Sequence, residues 1–568
     1  MRPLSAPPGR LLTALVCSLA LAAAGAHSVA ATSSPRPATV PLTRGGTVHD
    51  VTEHRVDLPL AATHVAFSWR GDARDVRYRV AAGPWRRAPA DHALASGPRR
   101  FSGVVSVGRI ASLEWRGPRR TSVRDLEVHY MNTLDGPRRE VRGVSESARA
   151  DGLPRVVTRA EWGADESIKR SRGGCRRRFF PLRQIFVHHT AGSNRDPHPE
   201  ATMRAIYYFH TVTRGWCDVG YNFVIGPGGR IFEGRWARRF DPGETHDSED
   251  PSGRVARGAH VAEFNSGSVG IGLMGNFSTT DVPRAMRRAL VSAVAWEAAR
   301  HGLDPRARRV YINPETGLRK RLPVVAGHRD AGQTSCPGGN LYARLGRIRR
   351  AAARAVAERP RTRARLSIEP GKVAVGAVAT VSGELRTRRG APVPGRTLRL
   401  YRKGGRGWRV LDEVTTSPGG RFSTSFAPRR SLRIAADFEG GDAMWGSSSG
   451  AVRLRVRPRV SLATVGGRVD ADGVAHFPAG TRRVTLQGSI APSKPRVTVR
   501  VSRLHDNGGL SMVRRARVGV GSDGSYRARV VLPAAARRSR FRARTWFRGD
   551  RRHAVARSRI VAFVVGGG

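Results

Sequence analysis

Helical periodicity is confined to the middle third of this chain. Between about Val156 and Glu358, strand-like runs alternate with windows whose apolar residues recur every three to four positions. On either side of that segment the apolar residues alternate one by one, as half-buried strands require. The chain has 568 residues, too many for one core, so the change of period predicts several domains. The expected architecture is a small all-β unit, then an α/β unit with a mixed sheet and flanking helices, then further all-β units.

The first residues address the chain rather than fold it. Met1–Arg10 carries two arginines and no acid, Leu11–Ala23 is apolar, and small residues follow. This is the plan of a secretory signal peptide over residues 1–31, with cleavage after Ala26, Ala30 or Ala31. The apolar run is shorter than the ~20 residues a transmembrane helix needs. The expected product is secreted, associated with the cell wall and without a transmembrane anchor after cleavage.

A Pro/Ser/Thr-rich linker is expected around 31–43, and a β-sandwich domain over 44–150 whose end is a charged linker. In it HVAFSW (His64–Trp69), VRYRV (Val76–Val80) and LEVHY (Leu126–Tyr130) alternate cleanly. The α/β domain is expected over 155–358. Its strands are predicted at Gln184–Val187, Tyr221–Ile225, Val269–Met274 and Pro323–Ala326. One helix is predicted over Glu200–Val212 with Met203, Ile206, Tyr207 and His210 on one side. Another runs from Pro283, a good first-turn residue, toward His301, and a third follows Pro337. Beyond Ala364 a pattern of strand, paired strand, Gly-rich turn and strand occurs twice, with turns at Gly419-Gly420 and Asp523-Gly524. A repeat of that size suits two immunoglobulin-like β-sandwiches, 364–457 and 458–566.

Chemistry concentrates in VVAGHRDAGQTSCPGG (Val324–Gly339), which sets His328 eight residues before Cys336. Imidazole and thiolate are natural zinc ligands, and two histidines with one cysteine leave a position open, as catalytic zinc sites do. The third ligand is sought in QIFVHHTAG. Neighbours on a strand point to opposite faces, so either His188 or His189 reaches the metal. Of the four cysteines, Cys17 lies in the signal peptide and Cys336 is the metal candidate. Cys175 and Cys217 remain to pair as a disulfide in an oxidising compartment.

Five motifs then occur in order: TRAEWGADES (Thr158–Ser167), FVHHTAGS (Phe186–Ser193), GWCDVGYNFVIGPGGRIFEGR (Gly215–Arg235), GAHVAEFNSGSVGIGLMGNF (Gly258–Phe277) and AGHRDAGQTSCPGG (Ala326–Gly339). Together they resemble the type 2 N-acetylmuramoyl-L-alanine amidase family, which includes the peptidoglycan recognition proteins. The upstream β-domain is similar to the arrangement in actinobacterial secreted amidases. The resemblance implies a Zn2+ enzyme that cuts the MurNAc–L-Ala amide bond of peptidoglycan. It implies His188, His328 and Cys336 as metal ligands, Tyr221 beside the attacking water, and Thr334 as an oxyanion partner. It places His260 and Asn265 in the substrate cleft. Trp216 and Arg235 are further candidates for substrate contact, and Trp236 another stacking ring. Asp218, Glu233 and Asp330 are candidate general bases by proximity in sequence alone, and Asp330 is equally suited to holding its loop. His210 reads as a core histidine, and His198, His246 and His301 as surface ones. The rival expectation is a non-catalytic peptidoglycan-binding protein of the same fold, but members of that kind typically lack the thiol that Cys336 supplies.

The formal net charge is +56, carried mostly by arginines spread along the whole chain. A genome that favours arginine codons accounts for this, and so does adhesion to anionic wall polymers. Nucleic-acid binding is not expected, because no zinc-finger pairing, RNA-binding aromatic motif or basic zipper accompanies the charge.

Overall fold

Two runs, Gln184–His189 and Ser268–Leu273, are buried at every position in the computed structural model of this protein. It describes residues 36–71, 75–89, 98–117, 123–144, 155–170, 173–241, 244–404, 407–441, 443–533 and 539–566. The expected signal peptide lies outside the described residues, and so does the end of the charged linker. Among the described residues no helix is long and apolar enough to cross a membrane.

A strand buried at consecutive positions must be covered on both faces. These two runs pair in parallel inside a six-stranded mixed sheet. Its strands are β1 (Val156–Val157), β2 (Gln184–His189), β3 (Phe223–Ile225), β4 (Ile231–Glu233), β5 (Ser268–Leu273) and β6 (Val325–Gly327). Their spatial order is β1-β4-β3-β5-β2-β6, and only the β3–β4 pair is antiparallel. The helices are α1 (Pro199–Tyr208), α2 (Arg284–His301), α3 (His328–Ala331) and α4 (Gly339–Ala357). Helix α2 stops at Gly302, whose φ of 69° is the left-handed cap that glycine supplies without strain. Helix α4 buries Leu341, Leu345, Ile348, Ala352 and Val356, a single stripe at helical spacing.

Helix α1 differs from its expected one-sided pattern. Met203 and Tyr207 join the core of the central domain, whereas Ala205 and Ile206 pack with Phe209 against Ala66, Phe101, Val104 and Met131 of the N-terminal domain. Both faces are covered, and a five-residue π turn, Phe209–Thr213, carries the helix on. The buried Arg204 clamps the two domains, donating to Trp162 O at 2.8 Å and Thr133 O at 2.9 Å.

Seven of the N-terminal strands are linked by hydrogen bonds in one antiparallel sheet. The sixteen-residue strand Arg55–Arg70 changes partners along its length, with register shifts that bend it. Its burial alternates at first and then becomes continuous from Ala62 to Trp69. The second half loses its exposed face because α1 covers it. The linker expected over 31–43 is partly a strand: Arg36–Pro41 pairs with Arg138–Val144, in the region expected to be linker at the other end. Each segment offers the other its backbone partners, a pairing that their Pro- and Arg-rich composition conceals.

Beyond α4 lie two units, each built of two sheets. The first sets three strands (Thr362–Glu369, Ala379–Thr387, Arg421–Phe426) beside five, around Leu385, Leu398, Leu400, Ile434 and Leu454. The second sets four strands beside seven. The first unit docks on the central domain through Trp445, which enters the central core and donates its indole N–H to Val356 O at 3.1 Å. Beside it the buried Arg300 of α2 joins Glu249 at 3.0 Å to Asp437 of the sandwich at 2.6 Å.

Candidate metal centre

Parallel strands bring their carboxyl ends to one edge of a sheet, and β2 and β6 are neighbours. Val187 pairs with Gly327, so the next residues, His188 and His328, leave the sheet side by side. Their ring centroids are 4.8 Å apart. The chain turns through α3 and returns Cys336, whose carbonyl accepts from Arg329 N at 3.1 Å. One ligand atom from each of His188, His328 and Cys336 lies within 4.8 Å of the other two. Cys336 Sγ is 3.5 Å from His188 Nδ1. His328 Nδ1 is buried with no hydrogen-bond partner. Burial lowers the pKa of His188 well below the usual histidine value and that of His328 to about 4, so both imidazoles keep a free lone pair. A thiol and two neutral imidazoles around an otherwise unsatisfied nitrogen fit zinc in donor type and number.

The adjacent histidine serves the other face of the strand. His189 Nδ1 accepts from Phe277 N at 3.2 Å. His260 packs on the centre: its Nδ1 is 3.2 Å from His188 Nε2, and its Nε2 is 3.4 Å from Ser268 Oγ. Both of its ring nitrogens are therefore engaged. If His188 presents Nδ1 to a metal, its Nε2–H donates to His260, which fixes tautomer and ring orientation. Tyr221 is buried with its ring 5.3 Å from that of His188. Thr334 is half-buried, and its Oγ1 accepts from Cys336 N at 3.1 Å, holding the turn that presents the thiol.

Strand β5 makes room for these rings. A Cβ on Gly270 would stand 2.4 Å from the His260 ring, and one on Gly272 would stand 3.2 Å from the Tyr221 ring. The alternation in SVGIGL is the sequence signal for this, since a glycine inside a strand often marks a close approach.

The other candidates are more dispersed. Asn265 Oδ1 accepts from His260 N at 2.7 Å and Val261 N at 3.0 Å, so it shapes the loop that carries His260. Trp216 packs against the His210 ring at 4.7 Å, and His210 Nδ1 accepts from Gly220 N, the core role its position predicts. Arg235 and Trp236 line a cavity next to the first sandwich. The carboxylates are committed elsewhere. Asp218 pairs with the buried Arg159 at 3.0 Å, Glu233 takes His246 Nδ1 at 2.6 Å, and Asp330 takes Gly327 N at 2.9 Å and the Tyr342 hydroxyl at 2.6 Å. Asp330 thus caps α3. His198 is exposed, but His246 stacks on Phe240 at 4.2 Å. His301, expected at the surface, is packed beside Glu249 at 2.7 Å, because the docked sandwich covers that end of α2. Cys175 and Cys217 form a disulfide with their Cα atoms 5.3 Å apart.

A family model described as N-acetylmuramoyl-L-alanine amidase matches residues 178–339. Peptidoglycan recognition protein 1 of Bos taurus is 36% identical over 191 residues, which cover 33% of this chain and 80% of that protein. The N-acetylmuramoyl-L-alanine amidase of Sus scrofa is 30% identical over 199 residues, which cover 34% of this chain and 27% of that protein. Among solved structures, wild-type Drosophila PGRP-LB aligns at 29% identity over 34% of this chain and 92% of that one, with a TM-score of 0.24. The span of the family model includes His188, His328 and Cys336, the bovine relative is matched over four fifths of its length, and the chain belongs to the N-acetylmuramoyl-L-alanine amidase and peptidoglycan recognition protein family.

Proposed function

We propose that the central domain is a secreted, zinc-dependent amidase that hydrolyses the bond between the lactyl group of N-acetylmuramic acid and L-alanine in peptidoglycan. The observation that carries this reading is the grouping of His188, His328 and Cys336, buried and within 4.8 Å of one another at their ligand atoms. A zinc ion held there would supply Lewis-acid chemistry toward an amide carbonyl and water.

The chain's own residues divide the remaining work. His260 holds the His188 ring in one orientation through the 3.2 Å contact. Tyr221, beside that ring, is placed to orient water and to pass a proton toward the leaving amine. Thr334 sets the thiol through Cys336 N, and its hydroxyl hydrogen is left to meet charge that develops on the carbonyl oxygen. Asp330 locks α3, which positions His328. The signal-peptide pattern and the Cys175–Cys217 disulfide both support an extracellular setting. Retention of Cys336 favours an enzyme over a receptor of the same fold.

The test is release of free L-alanyl N-termini from purified peptidoglycan by the zinc-loaded protein. The wild type should release them and Cys336→Ala should not. Binding without release by the wild type would turn the reading into that of a peptidoglycan receptor.

A further inference from the structure

A cavity of about 430 Å³ opens between the central domain and the first C-terminal sandwich. Its lining holds eight basic side chains and two acids, Asp218 and Asp250. Asp218 is engaged by Arg159 at 3.0 Å, and Asp250 by the Ser252 backbone N–H at 2.9 Å and, at a looser 3.9 Å, by Lys403 Nζ. Arg176 and Arg239 have no carboxylate partner among the described residues, and Arg177 has only the electrostatic pull of Asp218, which Arg159 already holds. Like charges gathered this closely repel one another, so the fold must hold them in place. The Cys175–Cys217 disulfide anchors the loop that carries Arg176 and Arg177. The Trp236 ring holds Arg177 Cζ at 3.8 Å and Lys169 Nζ at 3.7 Å from its centroid.

The sandwich completes the wall. Lys403 Nζ lies 5.3 Å from the centroid of the Trp408 ring, and both residues face the cavity. Trp408 Nε1 is buried and has no hydrogen-bond partner, a donor that an oxyanion would satisfy. Arg235 lines the cavity, and its backbone N–H donates at 2.7 Å to the carbonyl of Tyr221, whose ring packs beside that of His188.

We propose that this cavity binds the phosphodiester backbone of an anionic wall polymer, and that the first sandwich supplies part of the site through Lys403 and Trp408. A single carboxylate would neutralise one cation of the set. A phosphodiester chain brings a charge with every repeat, and its oxygens match guanidinium forks. Bound there, the polymer would hold its wall against the cleft beside Tyr221. The inference rests on the reading of the protein as one that acts on bacterial walls, but it concerns a site other than the one that cuts the amide.

The experiment compares binding of the full-length protein to bacterial walls that carry phosphodiester polymer and to the same walls stripped of it by acid, with inorganic polyphosphate as a soluble competitor. Wild-type protein should bind intact walls at least about tenfold more tightly, with the difference lost at high salt and to polyphosphate. Lys403→Glu combined with Arg239→Glu should abolish the difference, while release of L-alanyl N-termini from stripped walls stays within about twofold. Lys403→Gln, which keeps the stem without the charge, should give an intermediate loss with an unchanged melting temperature. Equal binding to both walls, or a charge-reversed variant that still discriminates, would overturn the proposal. So would competition by a muropeptide with free carboxylates but not by polyphosphate, since the cavity would then belong to the substrate cleft. Loss of L-alanyl release with polymer discrimination intact would instead overturn the amidase reading and leave this one standing.

Discussion

Cys336 Sγ lies 3.5 Å from His188 Nδ1, although 148 positions of sequence separate the two residues. The sheet and the turn that follows it fix that distance. The parallel pairing of β2 with β6 sets the two histidines abreast, and α3 with the Thr334 turn brings the thiol back to them.

Zinc affinity should depend on a residue that does not touch the metal. His260→Ala removes the partner of His188 Nε2 and should weaken zinc binding about 10- to 100-fold, the usual effect of losing an outer partner of a ligating histidine. Competition with a chromophoric chelator measures it directly. His260→Asn, which can still accept a hydrogen bond, should recover part of the loss. An affinity unchanged in both variants would mean that His260 plays no part in orienting His188.

Gly270→Ala should be more harmful than a surface glycine replacement. The new methyl would stand 2.4 Å from His260 Cγ, and the ring has nowhere to retreat from its contact with His188. Overpacking of this kind costs about 1–3 kcal/mol, read as a lower denaturant midpoint, and zinc affinity should fall with it. Gly272→Ala, at 3.2 Å from the Tyr221 ring, should be milder.

The ligand motifs were legible because each ends an apolar run, where a parallel sheet presents its functional edge. The strands β2 and β5 were legible for the same reason. What local pattern could not reveal depends on distant partners. Helix α1 loses its single apolar stripe because Phe101 and Met131 lie on its far side. His301 reads as a surface residue until a sandwich more than a hundred residues later sets Asp437 beside Arg300. The Arg36–Pro41 strand exists only through its pairing with Arg138–Val144. Asn265 matched a cleft motif, yet its side-chain oxygen is consumed by the backbone of its own loop.

The junction between α2 and the first sandwich should weaken at alkaline pH. Burial alone would lower the His301 pKa, but Glu249 and Glu297 outweigh it and raise the group to about 9. A folded-state value above the unfolded ~6.5 makes the stabilisation complete below pH ~6.5, and it is lost as pH rises through 9. Melting temperatures from pH 6 to 10 should therefore fall more steeply for the wild type than for His301→Gln. Parallel curves would remove His301 from the account.

Trp445→Ala tests the docking itself. Deleting a fully packed tryptophan costs about 3–5 kcal/mol, and here it also leaves Val356 O without its indole donor. Urea unfolding followed by tryptophan fluorescence should lose cooperativity between the central and first C-terminal units. A single unshifted transition would show that the two units do not depend on this contact.

Reduction should loosen the basic loop. The Cys175–Cys217 bond spans 42 positions, and closing a loop of that size stabilises by about 4 kcal/mol in the chain-entropy estimate. The double Cys→Ala variant should melt lower and lose wall binding before it loses zinc, which isothermal titration with each ligand would separate.

The most direct measurement is mass analysis of peptidoglycan digested with the zinc-loaded protein, the chelated protein and Cys336→Ala. The account predicts free stem peptides beginning at L-alanine and intact lactyl groups on the glycan in the first digest only. The same fragments from the chelated protein or from Cys336→Ala would contradict it.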